Sequence, residues 1–405
     1  MPIAPAALGL ALLLQAARST AFPYSLAQDF SGSSFYDYFT FANGHDVSAN
    51  SSALYVNQTY ALGHNLTWVQ SGVFYTSVDT SSVTPESAGR PSIRLESRLL
   101  YDEGLFIMDL THIPDGCGTW PSIWFKNQVG SQIVGELDII EGINGTPDGH
   151  SIIHTADGCY GVPNRTQIAT PLYWDCPVND PPSPEGYDGC GSLVPASVMP
   201  GTFGSVFNQN GGGVYATKLD NSGIDIWFFP RSSIPQDIVS GNPNPSQWPA
   251  VPLVSFPFDC CTPDYFRNLK LIIDTNLCGN WAISDAATRC PTMGLCSTYV
   301  ASNPTAFSNA YWGINSIKVY ADQNRTALTS FSPNPSVVCP RPPNTNMTVV
   351  STPPAVLPFN ASQSPPAGTS PSAPAGSSHS AGASRAVSVA ASMTLVCALL
   401  VLVAI

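Results

Sequence analysis

Short runs of apolar and polar residues recur along the chain, separated by turns rich in Gly and Pro. The runs at 72–75, 92–96, 104–110, 135–141, 151–154, 213–218, 223–229, 269–274 and 316–320 are rich in Val, Ile, Phe, Tyr and Thr and predict strands. In 223–229 alternation gives way to the unbroken Ile226-Trp227-Phe228-Phe229, which predicts a strand covered on both faces. Helical periodicity is sparse, and no repeat of 20–50 residues is visible. The pattern predicts an all-β domain over residues 22–325, long for one core but within the range of β-sandwiches.

The pattern stops at both ends. Ala6 to Leu14 is apolar without a break and is followed by Ser19 and Ala21, which predicts a secretory signal at 1–21 cleaved after Ala21. An N-terminal membrane anchor is the competing reading, but the apolar run is too short to span. No Asp, Glu, Lys or Arg lies between Arg341 and Arg385, where Pro, Ser, Thr and Ala dominate. Such a segment cannot bury a core, so 326–380 reads as an extended, O-glycosylated stalk. Residues 381–405 carry an apolar, uncharged tail behind small residues, the pattern of a GPI attachment signal. Attachment is expected at Gly376, Ser377 or Ser378. A plain transmembrane helix is the alternative, although no basic stop follows it.

Eleven cysteines fit an oxidising compartment. Cys397 falls in the tail that GPI processing would remove. The other ten are expected to form mostly disulfides, in a pairing the sequence does not reveal. No Cys/His spacing suggests zinc. N-glycosylation sequons begin at Asn50, Asn57, Asn65, Asn144, Asn164, Asn324, Asn346 and Asn360. A glycan on Asn144 would crowd any site nearby. The net charge of −12 argues against nucleic acid or an anionic polymer as partner.

The candidate chemistry lies in Gly135-Glu136-Leu137-Asp138-Ile139-Ile140-Glu141-Gly142. In a strand Glu136 and Asp138 share a face. Plain alternation would send Glu141 to the other face, and a β-bulge between Asp138 and Glu141 would bring it back. Like charges at short range raise at least one carboxyl pKa. One protonated acid beside one ionised carboxylate suits glycoside hydrolysis. A hard-cation site or a solvated acidic strand are the alternatives. With 10% charged residues overall, three acids among branched apolar residues favour catalysis.

Glu-Leu-Asp-Ile-Ile-Glu resembles the Glu-x-Asp-x-x-Glu signature of glycoside hydrolase family 16, in its fungal laminarinase-like members. The likeness runs from about Phe22 to Tyr320, ending at Asn309-Ala310-Tyr311-Trp312-Gly313-Ile314-Asn315. It implies a concanavalin-like jelly-roll β-sandwich with a concave substrate cleft, and retaining hydrolysis of β-1,3 or mixed β-1,3/1,4 glucans. It implies Glu136 as nucleophile, Glu141 as acid/base and Asp138 as their assistant. Trp120 and Trp124 would line the cleft, though two tryptophans so spaced could be core. His154 would approach the acids, against a structural role. Arg94 would reach sugar hydroxyls, against a surface salt bridge. Trp281 would sit on the leaving-group side, and Trp312 in the core. Relatives often carry Trp-Pro just before the first glutamate, where this chain has Val129 to Val134, so the resemblance implies that one donor-side sugar-stacking platform is missing here.

The expectation is a monomeric endo-1,3(4)-β-glucanase, exported through the ER and lipid-anchored at the cell surface or wall. It needs no cofactor or catalytic metal, with a structural Ca²⁺ left open. A cell-wall transglycosylase sharing the same intermediate and a non-catalytic glucan-binding lectin are the rivals.

Overall fold

The computed structural model describes residues 23–46, 50–129, 132–162, 165–178 and 189–323. The expected signal at 1–21, stalk at 326–380 and anchor at 381–405 lie outside the described residues, as do Asn164, Asn324, Asn346 and Asn360.

Two eight-stranded antiparallel sheets account for most of the chain. One runs in the order Val254–Pro257, Gly223–Pro230, Gly213–Asp220, Gly104–His112, Tyr311–Asp322, Val73–Ser77, Thr67–Gln70, with Tyr24–Ser31 also paired to Tyr311–Asp322. The other, here the acid sheet, runs Thr170–Pro171, Cys190–Val194, Gly149–Thr155, Gln132–Glu141, Thr119–Val129, Leu269–Leu277, Arg94–Tyr101, Phe39–Phe41. Both antiparallel sheets turn one face to a shared core, and the other face of the first carries a second buried cluster around Trp248. Phe106 from the first sheet meets Phe125 from the second with ring centroids 4.8 Å apart, and Tyr101 packs edge-on to both. Ile123, Leu137, Ile139, Ile140, Leu271, Ile273 and Trp312 complete this cluster. Burying such side chains is worth about 1.5–3 kcal/mol each.

The strand predicted to be covered twice is so covered. Ile224, Ile226 and Phe228 face the main core, while Trp227 and Phe229 pack against Trp248 on the far side. Two expectations needed correction. The run 92–96 is split at Ile93: Arg90–Ser92 joins a small sheet with Ala53–Tyr55 and Gly44–His45, while Arg94–Tyr101 joins the acid sheet. The eleven-residue helix Gly279–Arg289 gave no periodic signal. It is tied down instead by disulfides, Cys117–Cys290 at its end and Cys278–Cys296 at its start. Cys159–Cys261 and Cys176–Cys190 join two further loops. Among the described residues no helix is long and apolar enough to cross a membrane.

Asn144 is not available to a glycan in this fold. It is 5% exposed, with φ at 53°. Its carboxamide accepts the Gly118 N–H at 3.0 Å and donates to the Ala282 carbonyl at 2.7 Å. The sequon's amide nitrogen is thus used to tie the acid strand's exit to the strand before it and to the helix. Asn144→Ala orphans both backbone groups and is expected to cost about 2–4 kcal/mol. Differential scanning calorimetry checks this, and mass spectrometry of the exported chain should find residue 144 unmodified.

Candidate active site

The acid strand, Gln132–Glu141, lies between Thr119–Val129 and Gly149–Thr155. Glycines bracket its functional part because other segments of the chain press close. A Cβ on Gly135 would lie 2.0 Å from the Tyr265 carbonyl oxygen, and one on Gly142 would lie 2.6 Å from the Phe203 ring. Glu136 pairs with His154 and Asp138 with Ile152, and the register then slips before Glu141 pairs with His150. This is the anticipated bulge. It spends Ile139 and Ile140 together on the core, each 1% exposed, and so restores Glu141 to the face of the other acids.

The three carboxyls are near enough to alter one another. Burial, and then the charge of Asp138, push Glu136 up to about 7, while His154, Lys126 and Arg94 pull it down. Burial and Asp274 hold Asp138 well above the usual carboxylate range. Burial and Asp138 do the same to Glu141, opposed by a hydrogen bond from an indole. That bond runs from Trp120 Nε1 to Glu141 Oε1 at 2.7 Å. His154 Nε2 lies 3.4 Å from Asp138 Oδ2.

Trp120 meets Trp281 edge to face at 5.6 Å, and Trp281 meets His150 in the same way at 5.0 Å. Trp281 comes from the disulfide-tied helix, so both aromatic residues stand on the Glu141 side. Trp124 stands apart from them, with the Arg94 guanidinium 4.9 Å from its ring and the Lys126 ammonium 5.1 Å away. Arg94 is nearly buried and paired with acids: Glu96 at 3.1 Å, Asp274 at 3.4 Å and Asp46 at 4.0 Å. Trp312 is fully buried in the core. Gly130 and Ser131, in the stretch where relatives carry Trp-Pro, lie outside the described residues.

One atom each of Glu136, Asp138 and His154 lie within 4.8 Å of one another, a set able to ligate a cation. Lys126, directly across the strand pair from Glu136, supplies positive charge that works against one.

A family model described as the XgeA-like catalytic domain of glycoside hydrolase family 16 matches residues 39–320. The chain belongs to glycoside hydrolase family 16. It is 40% identical over 312 residues to a probable endo-1,3(4)-β-glucanase of Aspergillus fumigatus, covering 73% of this chain and 45% of that protein. The chain thus spans about half the length of the Aspergillus relatives it matches. Laminarinase 16A of Phanerochaete chrysosporium, solved with β-glucans in its donor and acceptor sites, is 34% identical, with a TM-score of 0.68 over 74% of this chain and 99% of that one. An elongating family 16 β-1,3-glucosyltransferase is similar at 34% identity, with a TM-score of 0.67 over 74% of this chain and 100% of that one. The family 16 jelly-roll sandwich accounts for the two sheets.

Sequence reasoning missed four residues around the site: Lys126, His150, Ser122 and Asp274. Ser122 pairs with Glu141 on one side and Asp274 on the other. His150 is held neutral, its pKa pushed down to about 4 by burial. Lys126 follows Trp124 at the strand period of two, a signal that was present. Asp274 closes an apolar run, which marks a polar position without showing what it faces.

Proposed function

We propose that the chain is a retaining endo-β-glucanase acting on β-1,3 or mixed β-1,3/1,4 glucans. The observation that carries this reading is the bulge, which sets Glu136 and Glu141 on one face, Glu136 beside Lys126 and His154 and Glu141 beside Trp120. Glu136, the first acid of the Glu-x-Asp-x-x-Glu signature, faces Lys126 and His154, which favour its ionised form, and is the nucleophile; Glu141, held well above the usual carboxylate range by burial and Asp138, is the proton donor. Its carboxylate attacks the anomeric carbon while Glu141 gives its proton to the departing glycosidic oxygen. Glu141, now ionised, takes a proton from water, whose oxygen displaces Glu136 and restores it. Retention by this route needs carboxyls ~5–5.5 Å apart. Asp138 lies between the two on the same face, its carboxyl held well above the usual range by burial and Asp274, with His154 beside it.

Trp120 and Trp281 offer the leaving chain an apolar wall beside Glu141, suited to the C–H faces of glucose. A leaving chain held there can return as acceptor, which favours transglycosylation as the second reading. The glucosyltransferase at 34% identity supports keeping it. Incubation with laminarin, lichenan and xyloglucan, followed by product sizing, decides. Shortening alone supports hydrolysis, longer chains support transfer, and no change on any of them refutes both.

Trp120→Phe keeps a ring but removes the donor that lowers the Glu141 pKa. The alkaline limb of kcat/KM should therefore move to higher pH, measured as a pH–rate profile on laminarin.

We also propose a monomer exported through the ER and held at the cell surface or wall by a C-terminal lipid anchor. Four disulfides in the described residues support an oxidising destination.

A further inference from the structure

Asp274 is a buried acid to which the double displacement assigns no task. It is 5% exposed, in the strand Leu269–Leu277, and burial pushes its carboxyl up to about 6. Its backbone carbonyl accepts the indole N–H of the core Trp312 at 2.9 Å, which fixes the main chain from below. Its side chain points the other way and holds two partners. One is Arg94, whose Nη1 is 3.4 Å from Oδ2. The other is Trp124, whose indole N–H it accepts.

Those two partners also touch each other, since the Arg94 guanidinium lies over the Trp124 ring. Arg94 is braced in turn by Glu96, and Glu96 by Lys270 at 3.1 Å. Trp124 pairs across the strands with Asp138, so its ring stands beside the acids. An unbraced indole on an open sheet face would sample several rotamers. Here its edge is fixed by an acceptor and its ring by cations, Arg94 and Lys126. The charged groups that Asp274 faces are Arg94, Asp46 and Lys126, with Asp138 as the acid that feels it from the next strands.

We propose that Asp274 is a positioning residue that, through the Trp124 indole N–H and Arg94, fixes the ring against which a glucosyl unit beside Asp138 and Glu136 packs. The identity of the ligand rests on the β-glucanase reading, whereas the clamp rests on geometry alone. Binding should therefore suffer more than chemistry when the clamp is opened. An acceptor without charge should restore much of it, because the indole needs only an oxygen.

The test uses Asp274→Ala, Asp274→Asn and Trp124→Phe, singly and with Asp274→Ala combined with Trp124→Phe. Near-ultraviolet circular dichroism reads the indole without substrate, and steady-state kinetics on laminarin read its use. Asp274→Ala should change the near-ultraviolet spectrum, and Asp274→Asn should return it toward the unaltered protein. In the Trp124→Phe background, Asp274→Ala should leave the spectrum unchanged. On laminarin, Asp274→Ala should raise KM about tenfold with kcat within threefold, and the double variant should be no worse than the worse single one. Should Asp274→Ala fail to fold, Asp274→Asn and Trp124→Phe carry the test, with a normal KM for the first and a raised KM for the second. An unchanged spectrum in Asp274→Ala, equal KM defects in the Ala and Asn variants, or additive defects in the double variant would overturn the proposal. An unaltered protein that leaves every β-glucan intact would refute the glucanase reading instead, and the spectroscopic comparison would still judge the clamp.

Discussion

Glu136→Gln is expected to lower laminarin turnover by about 10⁴-fold with the fold intact. The amide is nearly isosteric but cannot attack the anomeric carbon, so no glycosyl-enzyme forms. Release of reducing ends measures the loss, and near-normal turnover would refute the nucleophile assignment. Stability should move the other way. The folded-state pKa of about 7 lies above the ordinary 4.5, so the native chain binds this proton more tightly than the unfolded one. The associated stability is present below pH 4.5 and is lost as pH rises toward 7. Glutamine has no proton to lose. The melting temperature of Glu136→Gln should match the unaltered protein at low pH and exceed it above neutrality.

Glu141→Ala should cost about 10³-fold on laminarin, because protonation of a poor leaving group is lost. The defect should shrink for an aryl β-glucoside whose phenolate leaves without help. Its intermediate would then accumulate for want of a base, and added azide should release it as the β-glycosyl azide. The alkaline limb of the pH profile should vanish together with the acid. The acid limb belongs to Glu136. It should lie above 4.5 and no higher than about 7, since burial, the larger cause of the rise, persists even where Asp138 keeps its proton and adds no charge. A variant that loses all substrates equally and ignores azide would contradict the acid/base role.

The acid ladder was legible because its signal is local. Three carboxylates and their apolar spacers fix face and bulge within one strand, and Ile139 and Ile140 are the two consecutive core residues such a slip needs. The strand predicted at 223–229 was legible for the same reason. The surroundings were not. Arg94 lies opposite Asp274, 180 residues away in sequence, through a pairing no local pattern encodes. The same limit hid the use of Asn144, which reads as a glycan acceptor until Gly118 and Ala282 are seen to occupy it. The helix that carries Trp281 was missed because disulfides, rather than an apolar stripe, hold it in place.

Those two bridges have a mechanical consequence. Cys117 lies just ahead of Trp120, while Cys278 and Cys290 enclose the helix bearing Trp281. On the glucanase reading, a polymer drawn past Glu141 would pull on rings whose backbones are cross-linked to the body of the protein, so that the load would pass into covalent bonds. A reducing milieu would soften this rim first and leave the catalytic strand, braced on both edges by neighbouring strands, standing behind it.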